Sequence, residues 1–172
     1  MKKIILVGYM GSGKSTIAKL LGDKIGFPSY DLDDCIEKNQ NSLISQIFNL
    51  KGELFFRKVE HQLFAEILAK NENLVLSLGG GTPCYFNNHE SLSAKNVISI
   101  YLKASIDTLF DRLNTKNNSR PLLSGIEETE KKEFIAKHLF ERSFFYHKTQ
   151  HIIVVDDQTP EKIVAEIQKI LF

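Results

Sequence analysis

Residues 8–15 read Gly-Tyr-Met-Gly-Ser-Gly-Lys-Ser and follow directly on the apolar run Ile4-Ile5-Leu6-Val7. The order is strand, glycine loop, then Lys-Ser opening a helix, which is the G-x-x-x-x-G-K-[S/T] phosphate-binding pattern in its required setting. Gly8, Gly11 and Gly13 carry no Cβ, so the backbone can turn tightly and aim its N–H groups at one point. Those donors, with the positive end of the following helix, suit a polyphosphate. Gly11, Ser12, Gly13, Lys14, Ser15 and Thr16 are therefore the expected nucleotide-binding residues. Lys14 supplies a point charge for the β- and γ-phosphates, and the Ser15 hydroxyl can ligate Mg²⁺. The chain is expected to bind a nucleoside triphosphate; its acceptor must be read elsewhere.

Other residues carry chemistry of their own. Asp31-Leu32-Asp33-Asp34 follows a short strand end over Phe27–Tyr30. If that segment stays extended, Asp31 and Asp33 share a face, one near Mg²⁺ through water and the other placed to accept a hydroxyl proton. The competing role is helix N-capping by Asp33 or Asp34. Arg57, in Phe56-Arg57-Lys58, either solvates a helix edge or forks onto a substrate carboxylate. Leu76-Ser77-Leu78 runs into Gly79-Gly80-Gly81, three residues that allow a ligand close to the backbone. Arg120 precedes Pro121 in a polar loop and could reach a transferring phosphate, and Arg142 lies late on the next helix. The histidines at 61, 89, 138, 147 and 151 show no metal-ligand spacing, and Cys84 reads as a small buried side chain.

The elements that must position these residues follow from periodicity. Strands are expected at Ile4–Val7, Leu74–Leu78, Val97–Leu102 and Ile152–Val155. Helical spacing covers Ser15–Ile25, Glu53–Lys70, Ile106–Leu113, Glu127–Tyr146 and Pro160–Leu171, the last with Thr159 as N-cap and Pro160 at N1. Alternating strands and helices predict a parallel sheet covered on both faces. Residues 31–73 hold two or three helices between successive strands, more than one crossover needs, and so form a candidate substrate platform. The polar segment of about 114–126 is a candidate lid.

Composition narrows the class. With 172 residues, 42% hydrophobic and 25% charged, the chain is expected to form one domain over 1–172. A net charge of +1 gives no global drive toward nucleic acid or an anionic membrane. Two cysteines, Cys35 and Cys84, make neither a disulfide framework nor a zinc pattern and point to a reducing, cytoplasmic setting. Met1-Lys2-Lys3 has the charge of a signal-peptide start, but only four apolar residues follow before the glycine loop, so they read as a strand.

Taken together, the segments GYMGSGKST at 8–16, DLD at 31–33, FFRKVE at 55–60, LSLGGGTP at 76–83, SRPLL at 119–123 and FERSFFY at 140–146 resemble the shikimate kinases, and the resemblance runs over nearly the whole chain. It implies a three-layer α/β P-loop kinase fold with a five-stranded parallel sheet, a helical substrate-binding insertion and a lid. It implies ATP and Mg²⁺ and transfer of the γ-phosphate to the 3-hydroxyl of shikimate on the route to aromatic amino acids; the chain is expected to act as a monomer. By the same resemblance Asp33 holds the ring hydroxyls and orients the nucleophile, while Arg57 and Arg142 hold the carboxylate. The backbone at Gly80, flanked by Gly79 and Gly81, meets the ring. Lys14 and Arg120 stabilise the transferred phosphoryl group, Ser15 and Asp31 serve Mg²⁺, and Arg112 and Gln158 lie on the adenine side. The sequence departs from the family at Pro83-Cys84-Tyr85, where smaller aliphatic residues often stand.

Two other readings compete. One is a P-loop kinase for a different small molecule, such as gluconate or a nucleoside monophosphate. The trio Arg57, Gly80 and Arg142 suits a compact carboxylate better than a base. The other is a nucleotide-binding regulatory module without transfer activity, which would need no hydroxyl-orienting acid such as Asp33.

Overall fold

The computed structural model describes residues 1–115, 123 and 125–172. Most of the expected lid, with Arg120, lies outside the described residues. The strands are β1 (Lys3–Val7), β2 (Ser29–Asp31), β3 (Leu74–Ser77), β4 (Val97–Lys103) and β5 (His151–Val154). They form one five-stranded sheet in the order β2-β3-β1-β4-β5, every pair parallel. The helices are α1 (Lys14–Ile25), α2 (Leu32–Gln40), α3 (Ile44–Ala69), α4 (Ile106–Thr115), α5 (Glu128–Tyr146) and α6 (Pro160–Leu171).

The central strands are continuous apolar runs because both their faces are covered. Every residue of β1 and β3 is buried. α1 packs on β2 and β3 and against α6, while α2 pairs with α3 and α4 with α5. Ile17, Leu21, Ile163, Val164 and Ile167 join Ile4–Val7 in one core. At the edge strand β5 the pattern alternates instead: Ile153 is buried while Ile152 and Val154 are exposed.

Register places the chemistry. The chain leaves β1 toward β2 and leaves β4 toward β5, so the connections diverge between β1 and β4, the crevice in which open α/β sheets hold ligands. The phosphate loop opens there. At Gly8, with φ +152, a Cβ would stand 2.7 Å from the Leu102 carbonyl oxygen, so the loop can leave β1 only without a side chain.

The insertion between β2 and β3 contains α2 and α3, but α3 is not one regular helix. Gly52 sits at φ 81, ψ 168 and breaks it into Ile44–Lys51 and Glu53–Ala69. The apolar period over 53–70 marked the second piece; the first lies within the expected 31–73 insertion of two or three helices, at a place the periodicity does not mark. The far end of α3 is tied to the sheet by Lys3, 1% exposed, whose ammonium donates to the Lys70 carbonyl and, at 2.7 Å, to the Glu72 carbonyl. Burial lowers the pKa of this lysine, while the nearby Glu72 carboxylate opposes the shift.

Candidate functional site

A cleft of about 460 Å³ opens beyond the carboxyl ends of the strands, running from the switch point beside β1 across to β3 and β2. The phosphate loop from Met10 to Thr16 forms one wall; Asp31, Asp33, Ser77, Gly79 and Gly80 form another, with Arg112 and Gln158 at the far end. The loop is built as the pattern required. Gly13 takes a left-handed conformation at the N-cap of α1, and no side chain caps the helix. The first-turn N–H groups therefore remain available to an anion. Lys14 is buried and donates through Nζ to the Tyr9 carbonyl at 2.9 Å, which holds the ammonium over the loop.

The Ser15 hydroxyl donates to Asp31 Oδ2 at 2.5 Å. Two oxygen donors thus stand together at the mouth of the cleft, and no cluster of three His, Cys, Asp or Glu forms a metal cage among the described residues. A few protein oxygens completed by phosphate and water is the arrangement Mg²⁺ favours. The loop and this pair fit a Mg²⁺–nucleotide complex.

The segment after β2 corrects one expectation. It does not stay extended: α2 starts at Leu32, directly after Asp31. Asp31 is the N-cap, and its Oδ1 accepts from the Asp33 backbone N–H at 3.0 Å. Capping therefore falls to Asp31 rather than to Asp33 or Asp34. The turn separates the two carboxylates, sending Asp31 to Ser15 and Asp33 to the start of the glycine run.

That run is where the candidate residues meet. A Cβ on Gly79 would lie 2.9 Å from Asp33 Oδ1, and one on Gly80 would lie 3.1 Å from Arg142 Nη1. A Cβ on Gly81 would lie 2.6 Å from Arg57 Nη2. Each glycine leaves space for one of the three side chains, so the triple glycine is a packing requirement as well as an opening for a ligand. Neither arginine lines the cleft itself; each adjoins it across its glycine.

Arg57 is 6% exposed, which excludes a solvated helix edge. Its Nη1 donates to Glu60 at 2.9 Å, and Nε and Nη2 both donate to Glu53 Oε1 at 3.3 Å. Tyr85 covers the guanidinium with its ring centroid 4.1 Å away and donates its hydroxyl to Glu53 at 3.0 Å. Burial disfavours the charge on Arg57, but Glu60, through charge and hydrogen bond, with Tyr85 and Glu53 in support, raises its pKa above the ordinary arginine value. Glu60 is itself 1% exposed and also accepts from the Thr82 hydroxyl at 2.7 Å.

Arg142 is 8% exposed, and no carboxylate pairs with it among the described residues. Beside it the Tyr146 hydroxyl donates to the Gly80 carbonyl at 2.7 Å. Burial raises that phenol's pKa well above the tyrosine range. Cys84 stays a neutral thiol, its pKa pushed up to about 11 by burial although Arg142 and Arg57 oppose the shift.

At the far end Arg112 donates to the carbonyls of Gly11 at 3.3 Å, Ser12 at 3.4 Å and Val155 at 3.5 Å, so it bridges the phosphate loop and the end of β5. Gln158 donates to the Val154 carbonyl at 2.8 Å. One connection had no sequence signal. The Tyr9 hydroxyl and His138 Nδ1 lie 3.0 Å apart, joining the phosphate loop to α5 across 129 positions of sequence. Glu53 and Glu60 had a signal that went unread, since they flank Arg57 at helical i−4 and i+3 spacing.

The comparisons with known proteins agree with this geometry. A family profile described as "Shikimate kinase" matches residues 10–172. A shikimate kinase of Flavobacterium johnsoniae is 53% identical over 171 residues, covering 99% of each chain. Among solved structures, the shikimate kinase of Bacteroides thetaiotaomicron superposes with a TM-score of 0.91 at 33% identity, covering 99% of this chain and 98% of that one. The Acinetobacter baumannii enzyme, solved in complex with shikimate, gives a TM-score of 0.88 at 28% identity, covering 99% of this chain and 93% of that one. The chain carrying this cleft belongs to the shikimate kinase family.

Proposed function

We propose that the chain transfers the γ-phosphoryl group of ATP to the 3-hydroxyl of shikimate, giving shikimate 3-phosphate and ADP on the way to chorismate and the aromatic amino acids. The observation that carries this reading is the convergence of Asp33, Arg142 and Arg57 on three successive glycines beside the phosphate loop. A carboxylated polyol needs cations for its acid and a carboxylate for its hydroxyls, and this arrangement offers both within one site.

The residues divide the work. Gly11 to Thr16 wrap the phosphates with backbone donors, and Arg112 and Gln158 flank the adenine. Arg57 and Arg142 hold the substrate's carboxylate, with the ring against the backbone of Gly79, Gly80 and Gly81. Asp33 accepts from the ring hydroxyls and orients the one that attacks. Lys14 and Arg120 stabilise charge on the transferred group. Ser15 and Asp31 present oxygens to Mg²⁺, which neutralises phosphate charge when bound. Phosphoryl transfer needs little else, because its catalysis is mainly positioning and electrostatics.

We place the enzyme in the cytoplasm as a monomer. No helix among the described residues is long and apolar enough to cross a membrane. The test of the activity is ADP release with ATP and Mg²⁺, comparing shikimate, gluconate and AMP as acceptors. Turnover confined to shikimate is expected, and turnover only with another acceptor would overturn the proposal.

A further inference from the structure

The two arginines of the site are not in the same state. Arg142 pairs with no carboxylate among the described residues, whereas all three nitrogens of the Arg57 guanidinium are engaged by carboxylates of the protein itself. The two carboxylates differ in kind. Glu60 is a fixed partner: its side chain is 1% exposed, its contact with Arg57 is 2.9 Å, and Thr82 holds its second oxygen. Glu53 is a loose one: its side chain is 53% exposed, and it shares one oxygen between Nε and Nη2 at 3.3 Å each. Glu53 also follows the break at Gly52, where the helix path is interrupted.

We propose that the Glu53 carboxylate is a resident stand-in for the substrate's carboxylate on Arg57, so that acceptor binding exchanges one carboxylate for another. The inference rests on the proposed function. Charge supports it. Arg57 and Arg142 carry two positive charges, and Glu53 and Glu60 carry two negative ones, so the arginine end of the site is balanced before any acceptor arrives, even without counting the Asp33 carboxylate at Gly79. A third carboxylate in this poorly solvated place would leave an excess negative charge unless one of the residents withdrew. Glu53 can withdraw into water from its exposed position; Glu60 has no such route. Tyr85 sets how firmly the stand-in holds, since its hydroxyl supplies Glu53 with a third hydrogen bond and its ring covers the guanidinium. The exchange also gives selectivity, because only a ligand carrying its own anion in the right place replaces what Arg57 loses.

The test is the acceptor's affinity, read by titration calorimetry and as KM. Glu53→Gln and Glu53→Ala should each lower Kd and KM for shikimate, by about three- to tenfold for Ala, with kcat and the KM for ATP unchanged. Tyr85→Phe, which weakens the hold without removing the carboxylate, should move KM the same way by about twofold. Far-UV circular dichroism and ATP affinity establish that each variant is folded, and should Glu53→Ala not fold, Glu53→Gln and Tyr85→Phe carry the test. A KM that is unchanged or raised in the folded variants would overturn the inference, a rise marking Glu53 as a direct ligand of the acceptor. Failure here leaves wild-type turnover of shikimate intact, whereas failure of the functional reading removes that turnover.

Discussion

The guanidinium of Arg57 lies where a side chain on residue 81 would begin: a Cβ built on Gly81 would stand 2.6 Å from Nη2 and 2.7 Å from Nη1. Arg57 has little room to retreat, because Glu60 holds it on one side and Tyr85 covers it. Gly81→Ala should therefore displace the arginine. Overpacking of this kind costs about 1–3 kcal/mol. The expected outcome in steady-state kinetics is a shikimate KM at least about tenfold higher, with the KM for ATP nearly unchanged, since 1.4 kcal/mol is one decade. A normal shikimate KM would show that Arg57 does not hold the acceptor.

The two carboxylates on Arg57 should differ sharply in their contribution to stability. Glu60→Ala leaves a buried guanidinium short of its fixed partner and should destabilise the fold by about 3–5 kcal/mol. Glu53→Ala removes an exposed partner and should cost under about 1 kcal/mol. Urea denaturation of the two variants checks this ordering, and equal losses would contradict the assignment of fixed and loose partners.

Asp33 adjoins Gly79 at the mouth of the cleft, beside the phosphate loop. Asp33→Asn keeps the shape and removes the charge that, under the proposed function, orients the attacking hydroxyl. We expect kcat to fall by about 10²- to 10⁴-fold, in the range for a lost general base, while the KM for ATP changes little. Near-normal kcat would remove Asp33 from the reaction.

His138 gives the protein an acid-sensitive joint. Burial, with Arg142 and Arg57 adding to it against Glu141 and Glu53, lowers its pKa to about 4 from an ordinary 6.5. Between those values the unfolded chain binds the proton and the folded one does not, so stability rises with pH across that window. The contribution is complete above about pH 6.5 and is lost progressively as pH falls toward 4. Thermal melting of the wild type and of His138→Gln from pH 4 to 8 checks it. The variant's melting temperature should depend less on pH, and identical profiles would refute the role.

Local chemistry was legible in the sequence; contacts between distant segments were not. The phosphate loop could be read because strand, glycines and Lys-Ser are contiguous, and β1 and α1 each begin one residue before the expected start. The shared face of Asp31 and Asp33 was conditional on an extended segment and does not form, because Asp31 satisfies the first turn of α2 and starts the helix at once; helix capping there was readable, though it falls to Asp31 rather than to Asp33 or Asp34. The first piece of α3 falls within the expected helical insertion, but its bounds could not be read because Gly52 interrupts the apolar period. Glu53 and Glu60 are readable from helical spacing alone. Tyr85 over Arg57 and His138 against Tyr9 are not, since they depend on how separate elements dock. Arg120 lies outside the described residues, so its placement rests on the family resemblance.

The tether between Lys3 and the end of α3 makes β1 a common gauge for both halves of the site. From its last residue the chain enters the glycine loop proposed to wrap the phosphates; from its first, an ammonium grips the carbonyls of Lys70 and Glu72. Five residues of one rigid strand therefore set the offset between the donor's cradle and the helix that bears Arg57. Substituting Lys3 with Met would leave those carbonyls without their cation and should loosen that spacing. The expected mark is a lower kcat with both KM values near normal, a defect of alignment rather than of grip.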